Sequence, residues 1–327
     1  MEKVYLAIAA LGAAYLLDLI IGDPRWLPHP VRALGLLISL LEKAVRRIFR
    51  SGPGLKLGGA ITVLITAGGA ALLTYYVLKT AYQANFLIGI IVEVYILFSV
   101  FAGGDLYRHL SRVDKDLEQP GLQKARASVA LLVSRDTANL DQSGISRAAL
   151  ESLFENSADG LIGPLFFAAL GGPVLAVFYK GISTLDSMLG YKTVKYKDIG
   201  YFAARTDDFL NYIPARLTAV IIVLAGILQG RGKEGWKVLM QDHNKHASPN
   251  SAWPEAAAAG VLGLRFGGAD YFDGAAVERP VINAAGDLPL RKDIQRGLLL
   301  FQRVSILSAI VLIVFAYYLR SGEVFLF

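Results

Sequence analysis

Four stretches of this chain are so long and so free of charge that they dictate the fold class: residues 4–21, 57–78, 86–102 and 304–319. A helix of about 20 apolar residues crosses the ~30 Å hydrocarbon layer of a bilayer. The first stretch carries one acid, Asp18, near its end, and the third has Glu93 at its centre. The other two carry no charge. Composition decides between a membrane protein and a soluble one with a very large core. Hydrophobic residues make up 54% of the chain and charged residues 18%, against a usual charged share of ~25%. The mean hydropathy is +0.46. A disordered chain, a collagen-like repeat and an ordinary soluble domain are excluded. The expected fold is all-α. It is a polytopic integral membrane helix bundle, a single domain over 1–327, with substantial polar helical loops and re-entrant segments.

Two further stretches are ambiguous. Residues 161–179 are apolar but interrupted by Pro164 and by Gly171-Gly172-Pro173, a pattern that suits a span or a re-entrant pair of half-helices. Residues 213–228 are short and contain Arg216, which suits a segment packed in protein or at the interface. The loop after the first span holds Lys43, Arg46, Arg47, Arg50 and Lys56 against Glu42, so the positive-inside rule places it in the cytoplasm. The net charge of +6 is read first as this orientation charge, and no nucleic-acid partner is expected. The first stretch runs straight into Gly22-Asp23-Pro24 without a small-residue cleavage site, so it is not read as a signal peptide.

The chain has no cysteine, which excludes disulfides, thiol catalysis, Cys-ligated zinc and iron–sulfur clusters. Its four histidines are His29, His109, His243 and His246, and no pair has the HExxH spacing. His243 and His246, three apart, are read as polar surface rather than metal ligands. The glycines near 267–274 fit neither the Walker nor the Rossmann pattern.

Polar residues gather in four loops between the apolar stretches, whereas a transporter keeps its chemistry within its spans. The first is GDPRWLPHPVR, 22–32, whose three prolines stiffen a short stretch holding Asp23, Arg25, His29 and Arg32. It is either an interfacial turn anchored by Trp26 or a rigid platform for an acid, an imidazole and two guanidiniums. The second, 127–160, reads as a helix after Gly144. Arg147, Glu151, Glu155 and Asp159 recur every four residues and share one face. That face is a solvated ladder of salt bridges or a set of oxygen ligands suited to Mg²⁺. The third, 183–216, supplies Asp186, Lys192, Lys195, Lys197, Arg205, Asp207, Asp208, Asn211 and Arg216. A helix over 203–212 puts the acids and Asn211 beside a cation. Carboxylates near arginines suit a metal–phosphate site, although paired acids are also ordinary helix N-terminal charge. The fourth, 242–280, contains the turn Ser248-Pro249-Asn250-Ser251 and the small-residue run 252–260, suited to close packing.

These loops together resemble a known family. GDPRWLPHPVR after the first span, SRDT, RAALESLFENSADGLIGPLFF, STLDSMLGYK, ARTDDFLNYIPARL, SPNSAWPEAAAAGVLG and FGGADYFDG are similar, in order and spacing over residues 15–285, to the adenosylcobinamide-phosphate synthases of cobalamin biosynthesis, the CobD/CbiB type. One departure is Ser183, where the family pattern has Asn. The resemblance implies a membrane ligase that joins the free propionate of adenosylcobyric acid to aminopropanol or aminopropanol phosphate. ATP is the expected cosubstrate, with Mg²⁺. It implies Glu155, Asp159, Asp207 and Asp208 as the pool of Mg²⁺ ligands. Arg135, Arg205 and Arg216 become phosphate clamps, with Lys192, Asn211 and Asn250 as further substrate contacts. Asp23 or His29 becomes the base for the amine, with Arg32 and Asp186 in the same catalytic set. All four loops are then expected on the cytoplasmic face of a multi-pass protein of the cell membrane, in one pocket.

Two other classes compete. A Mg²⁺-dependent membrane phosphotransferase also uses acids at the membrane boundary, but it needs a second paired acidic motif beside ESLFE that this chain lacks. A corrinoid transporter would use Glu93 and Asp18, since acids within spans are functional by default, but the polar mass lies in the loops.

Overall fold

The computed structural model describes residues 2–24, 26, 29–272 and 274–322. It is helical apart from one hairpin, and the chain divides into two compact units, each built from non-adjacent stretches.

The first unit takes residues 1–102, 163–211 and 309–327. Its opening helices are α1 (Glu2–Ile21), α2 (Pro30–Ile48), α3 (Gly52–Val63), α4 (Gly69–Ala84) and α5 (Phe86–Val100), with a π-helical turn, Leu64–Gly68, joining α3 to α4. Pro30 starts α2 where a missing N–H costs nothing. Ser51 caps α3 by accepting from the Gly54 N–H, and Asn85 caps α5 by accepting from Leu87 and Ile88. The second unit takes residues 103–162 and 212–308. Its first helices are α6 (Gly103–Leu117), α7 (Gln123–Val129) and α8 (Gln142–Ser157), followed by a π-helical turn, Ala158–Ile162.

The chain returns to the first unit as α9 (Gly163–Leu189) and α10 (Tyr201–Leu210). The α9 helix packs on α2, α4, α5 and α10. Its buried Ile182, Leu185 and Leu189 meet Ile38, Ala67 and Ala203 in one apolar cluster. The helix is broken where the Gly-Gly-Pro pattern stands. Gly172 has φ 64°, ψ −157°, a region open in practice to glycine alone, and Pro173 has no N–H to donate. The Ala168 carbonyl, four residues before Gly172, accepts from Arg320 Nη2 at 3.0 Å. Arg320 lies within electrostatic reach of Glu93, and Glu93 accepts a hydrogen bond from the Tyr82 hydroxyl. The acid that a transporter reading would use therefore has two structural partners.

The second unit resumes with α11 (Tyr212–Ile227), α12 (Gly232–Asp242), α13 (Ala252–Leu262), and strands β1 (Phe266–Phe272) and β2 (Ala275–Ile282), an antiparallel pair. The last helix, α14 (Arg291–Ser321), gives its first part to this unit and its last part to the other. Every residue of α13 except Trp253 is buried, and its small side chains let α11, α12 and α8 pack around it.

Among the described residues, five helical stretches are long and apolar enough to cross a membrane: Val4–Ile21, Gly52–Ala84, Phe86–Leu117, Gln142–Leu189 and Arg291–Ser321. The pair Tyr201–Leu210 and Tyr212–Ile227 makes a sixth if it counts as one broken span. The chain is thus a multi-pass helical membrane protein, and residues 4–21, 57–78, 86–102 and 304–319 each lie within one of these five stretches.

Within the first unit, Arg46 donates to the Lys195 carbonyl (2.8 Å) and lies over the Tyr196 ring (5.4 Å), and Lys56 lies 3.9 Å from Asp198. The basic loop and the 190–200 loop therefore share one end of this unit. Single cysteines placed by Lys43→Cys and Lys195→Cys in this cysteine-free chain are expected to react with an impermeant maleimide from the same side. Labelling from opposite sides would contradict the Arg46–Lys195 contact.

Candidate active site

The first unit carries two polar clusters. At the start of α2, Asp23 Oδ1 accepts from Arg32 Nη2 at 2.7 Å and lies 3.7 Å from His29 Nε2. The His29 side chain is buried, and its residue caps α2 with extended backbone. The proline-stiffened platform thus holds an acid, an imidazole and a guanidinium together. Its remaining candidate, Arg25, lies outside the described residues.

The second cluster joins α9 to α10. Asp186 stands in the last turn of α9, and each of Asp186, Asp207 and Asp208 feels the charge of another. Asp207 is buried, and Asp208 is half-buried beside it. Asn211 orients Asp207: its Nδ2 donates to Asp207 Oδ2 at 2.9 Å, while its Oδ1 accepts from the Tyr179 hydroxyl at 2.6 Å. Tyr179 is itself fixed by stacking on Phe167, with centroids 4.8 Å apart. The other oxygen, Asp207 Oδ1, is buried with no hydrogen-bond partner. A buried carboxylate oxygen in that state costs free energy unless a cation or donor meets it. Lys192 and Arg205 are exposed on the adjoining loop and on α10.

The second unit carries the remaining candidates. The α8 face with a four-residue repeat turns inward. Glu151 is 1% exposed and accepts from Arg135 (2.7 Å), Arg279 (2.8 Å) and the Gly267 N–H (2.6 Å). Asp270 pairs with Arg135 (2.9 Å) and Arg147 (2.7 Å). Arg135, expected as a phosphate clamp, has its guanidinium buried against these two carboxylates. One turn along α8, Glu155 meets His246 and Glu255, with one ligand atom from each within 4.8 Å of the others. Burial, then the charges of Glu155 and Glu151, push the Glu255 carboxyl well above the usual carboxylate range, with Arg279 and Arg135 opposing. Burial works against a charged Arg279, but Glu151, Glu255, Glu155 and Asp270 outweigh it and raise its pKa. Asp159 stands on the π-helical turn after α8.

Arg216 and Asn250, both expected to contact substrate, come together here. Arg216 Nη1 donates to Asn250 Oδ1 at 3.3 Å and to the Tyr212 carbonyl at 2.7 Å. The guanidinium carbon lies 3.4 Å from the Tyr212 ring centre and 4.5 Å from that of Trp253. Such a stacked guanidinium is pre-organised for an anion.

A family model described as CobD/CbiB protein matches residues 11–301. The chain belongs to the CobD/CbiB family. It is 42% identical over 305 residues to the cobalamin biosynthesis protein CobD of Clostridium perfringens, covering 92% of this chain and 95% of that one. It is 39% identical over 316 residues to the CobD of Klebsiella pneumoniae, covering 96% and 99%. With the cobalamin biosynthesis protein CbiB of Salmonella arizonae it shares 40% identity over 281 residues, covering 86% and 88%. No solved structure matches. A role in cobalamin biosynthesis follows for this CobD/CbiB chain.

Three residues of these clusters carry little signal in the sequence. Tyr179 sits in an apolar run and shows its role only through Asn211. His246 looks like polar surface in the sequence. Glu255 is signalled only by being a single acid in the small-residue run AWPEAAAAGVL.

Proposed function

We propose that the chain is an ATP-dependent amide-forming ligase. It joins aminopropanol, or its O-phosphate, to the free propionate of adenosylcobyric acid and gives adenosylcobinamide or its phosphate. Family membership and the order of the loop motifs support the reading. The observation that carries it is the Asp207 cluster: a buried carboxylate with one orphaned oxygen, two neighbouring carboxylates and an asparagine that fixes its direction.

The chemistry sets the requirements. A carboxylate is a poor acyl donor. Transfer of the ATP γ-phosphoryl group to the propionate oxygen makes an acyl phosphate and releases ADP. Attack by the neutral amine then forms the amide and expels inorganic phosphate. The site must balance phosphate charge and take a proton from the ammonium group. An all-oxygen donor set suits Mg²⁺, which uses one or two carboxylates, keeps several waters and completes its shell with substrate phosphate. Asp207 with Asp186 or Asp208 would hold it. When bound, Mg²⁺ would neutralise phosphate charge. Arg205 and Lys192 are assigned to phosphate oxygens, and Arg216 with Asn250 to an anionic end of a substrate. Asp23 and His29 are assigned to the amine proton, with Arg32 holding Asp23 in place. Arg135 is reassigned from clamp to buried counter-ion, and Asn211 from substrate contact to positioning residue.

The test is direct. Purified protein in nanodiscs, given adenosylcobyric acid, aminopropanol phosphate or aminopropanol, ATP and Mg²⁺, is expected to yield the amide with one phosphate released per product. Corrinoid uptake into vesicles without amide formation would favour a transporter. Phosphate transfer to the alcohol alone would favour a phosphotransferase. The cell membrane and a cytoplasmic active site belong to the same proposal, because ATP and the corrinoid are cytoplasmic.

A further inference from the structure

We infer that the second unit holds a first-row divalent transition metal, bound by Glu155, His246 and Glu255, at a site chemically different from the all-oxygen Asp207 cluster. The inference stands apart from the amide chemistry, because it concerns only which ion these three side chains hold.

Three observations carry it. The first is convergence. Glu155 comes from α8, His246 from the 243–251 loop and Glu255 from the first turn of α13, yet their ligand atoms fall within 4.8 Å of one another. Among the described residues no other triple of His, Asp and Glu does so. Contraction around one ion at about 2.0–2.2 Å per ligand closes the remaining gap. The second is Glu255 itself. It is fully buried, both of its carboxylate oxygens lack a hydrogen-bond partner, and its nearest cation, Arg279, stands 3.7 Å away. A native fold rarely leaves such oxygens bare. The third is charge. Two carboxylates, Glu155 and Glu255, meet at the triad, while Arg135 and Arg279 give their hydrogen bonds to Glu151. A cation between the two carboxylates would relieve their repulsion.

The donor set selects the metal. Two carboxylates and one imidazole suit Zn²⁺, Mn²⁺ or Fe²⁺, whereas Mg²⁺ takes oxygen ligands. Three protein ligands leave coordination positions open, as at catalytic rather than structural sites. In this structure the Ser248 N–H donates to His246 Nδ1 at 3.0 Å. Ligation through Nδ1 replaces that contact, and ligation through Nε2 moves the ring proton to Nδ1 and ends it. Either way one backbone hydrogen bond is exchanged for a coordinate bond.

The test uses the full chain, purified in detergent free of nucleotide and corrinoid, with Mn²⁺ as the probe. Electron spin-echo modulation of bound Mn²⁺ is expected to show a ¹⁴N coupling that is replaced when the protein is made with ¹⁵N-histidine. His246→Gln is expected to abolish that coupling, and Glu255→Gln to weaken Mn²⁺ binding at least about tenfold. Zn²⁺ should displace the signal at lower concentration than Mg²⁺. Asp207→Asn, in the other unit, should leave the coupling unchanged and serves as the folded control. No histidine-nitrogen coupling from Mn²⁺ held by the Asp207→Asn protein, a nitrogen coupling that survives His246→Gln, or no Mn²⁺ retained by a folded wild-type protein would each overturn the inference. The last outcome would mean that a proton alone balances the charge.

Discussion

Asp207→Asn is expected to lower amide formation at least about 100-fold, a loss of about 2.7 kcal/mol of transition-state stabilisation, while the protein still inserts and purifies normally. The substitution keeps the volume and planar shape of the side chain. It removes the charge from an oxygen that is buried and has no other partner. If that oxygen meets Mg²⁺ and the phosphate it carries, charge is what the site loses. If Asp207 is only a structural acid, an amide in its place relieves repulsion from Asp186 and Asp208, and turnover should be near normal.

Asn211 separates the two cases further. It touches Asp207 and Tyr179 and is buried, so it acts through Asp207. Asn211→Ala is expected to raise the Mg²⁺ concentration for half-maximal rate by about 10- to 100-fold, as loss of an outer-shell partner does. The KM for the corrinoid should change little. A variant that had merely loosened the fold would change both together. Titrating the rate with Mg²⁺ at saturating ATP makes the distinction.

The apolar spans were legible because a bilayer demands length and purity of side chains, and local sequence carries both. The break in α9 was legible for a similar reason: Gly171-Gly172-Pro173 removes a side-chain constraint and a donor at one point, whatever surrounds it. The face that carries Arg147, Glu151 and Glu155 was legible as a face, because helical spacing is local. Its direction was not. Whether Glu151 meets water or two arginines depends on β1 and β2, whose stretch of glycines, acids and small residues has no clean alternation. That hairpin was absent from the all-α expectation, and it brings Asp270 and Arg279 to α8. The same limit hid the Glu155–His246–Glu255 group, since its members lie far apart in sequence and only the packing of α13 on α8 joins them. By contrast, Asp186 with Asp207, and Arg216 with Asn250, are singled out through the family resemblance, and the fold brings each pair close.

Glu151→Gln is expected to be the most destabilising single change in the second unit. Its carboxylate answers two buried arginines and the Gly267 N–H. Removing one member of a buried ion network leaves its partners charged and under-compensated, which costs about 3–5 kcal/mol. For a unit of this size that corresponds to a fall of about 6–20 °C in Tm, measured by thermal unfolding in detergent. Glutamine retains acceptor capacity for the Gly267 N–H, so the loss would report the arginines. Pairing the change with Arg279→Gln removes one of the stranded cations. The double variant should therefore be more stable than the sum of the two single losses predicts, by about 0.5–3 kcal/mol of coupling. Strict additivity would mean that Glu151 and Arg279 stabilise the unit independently, and the buried network would then be a set of neighbours rather than one electrostatic body.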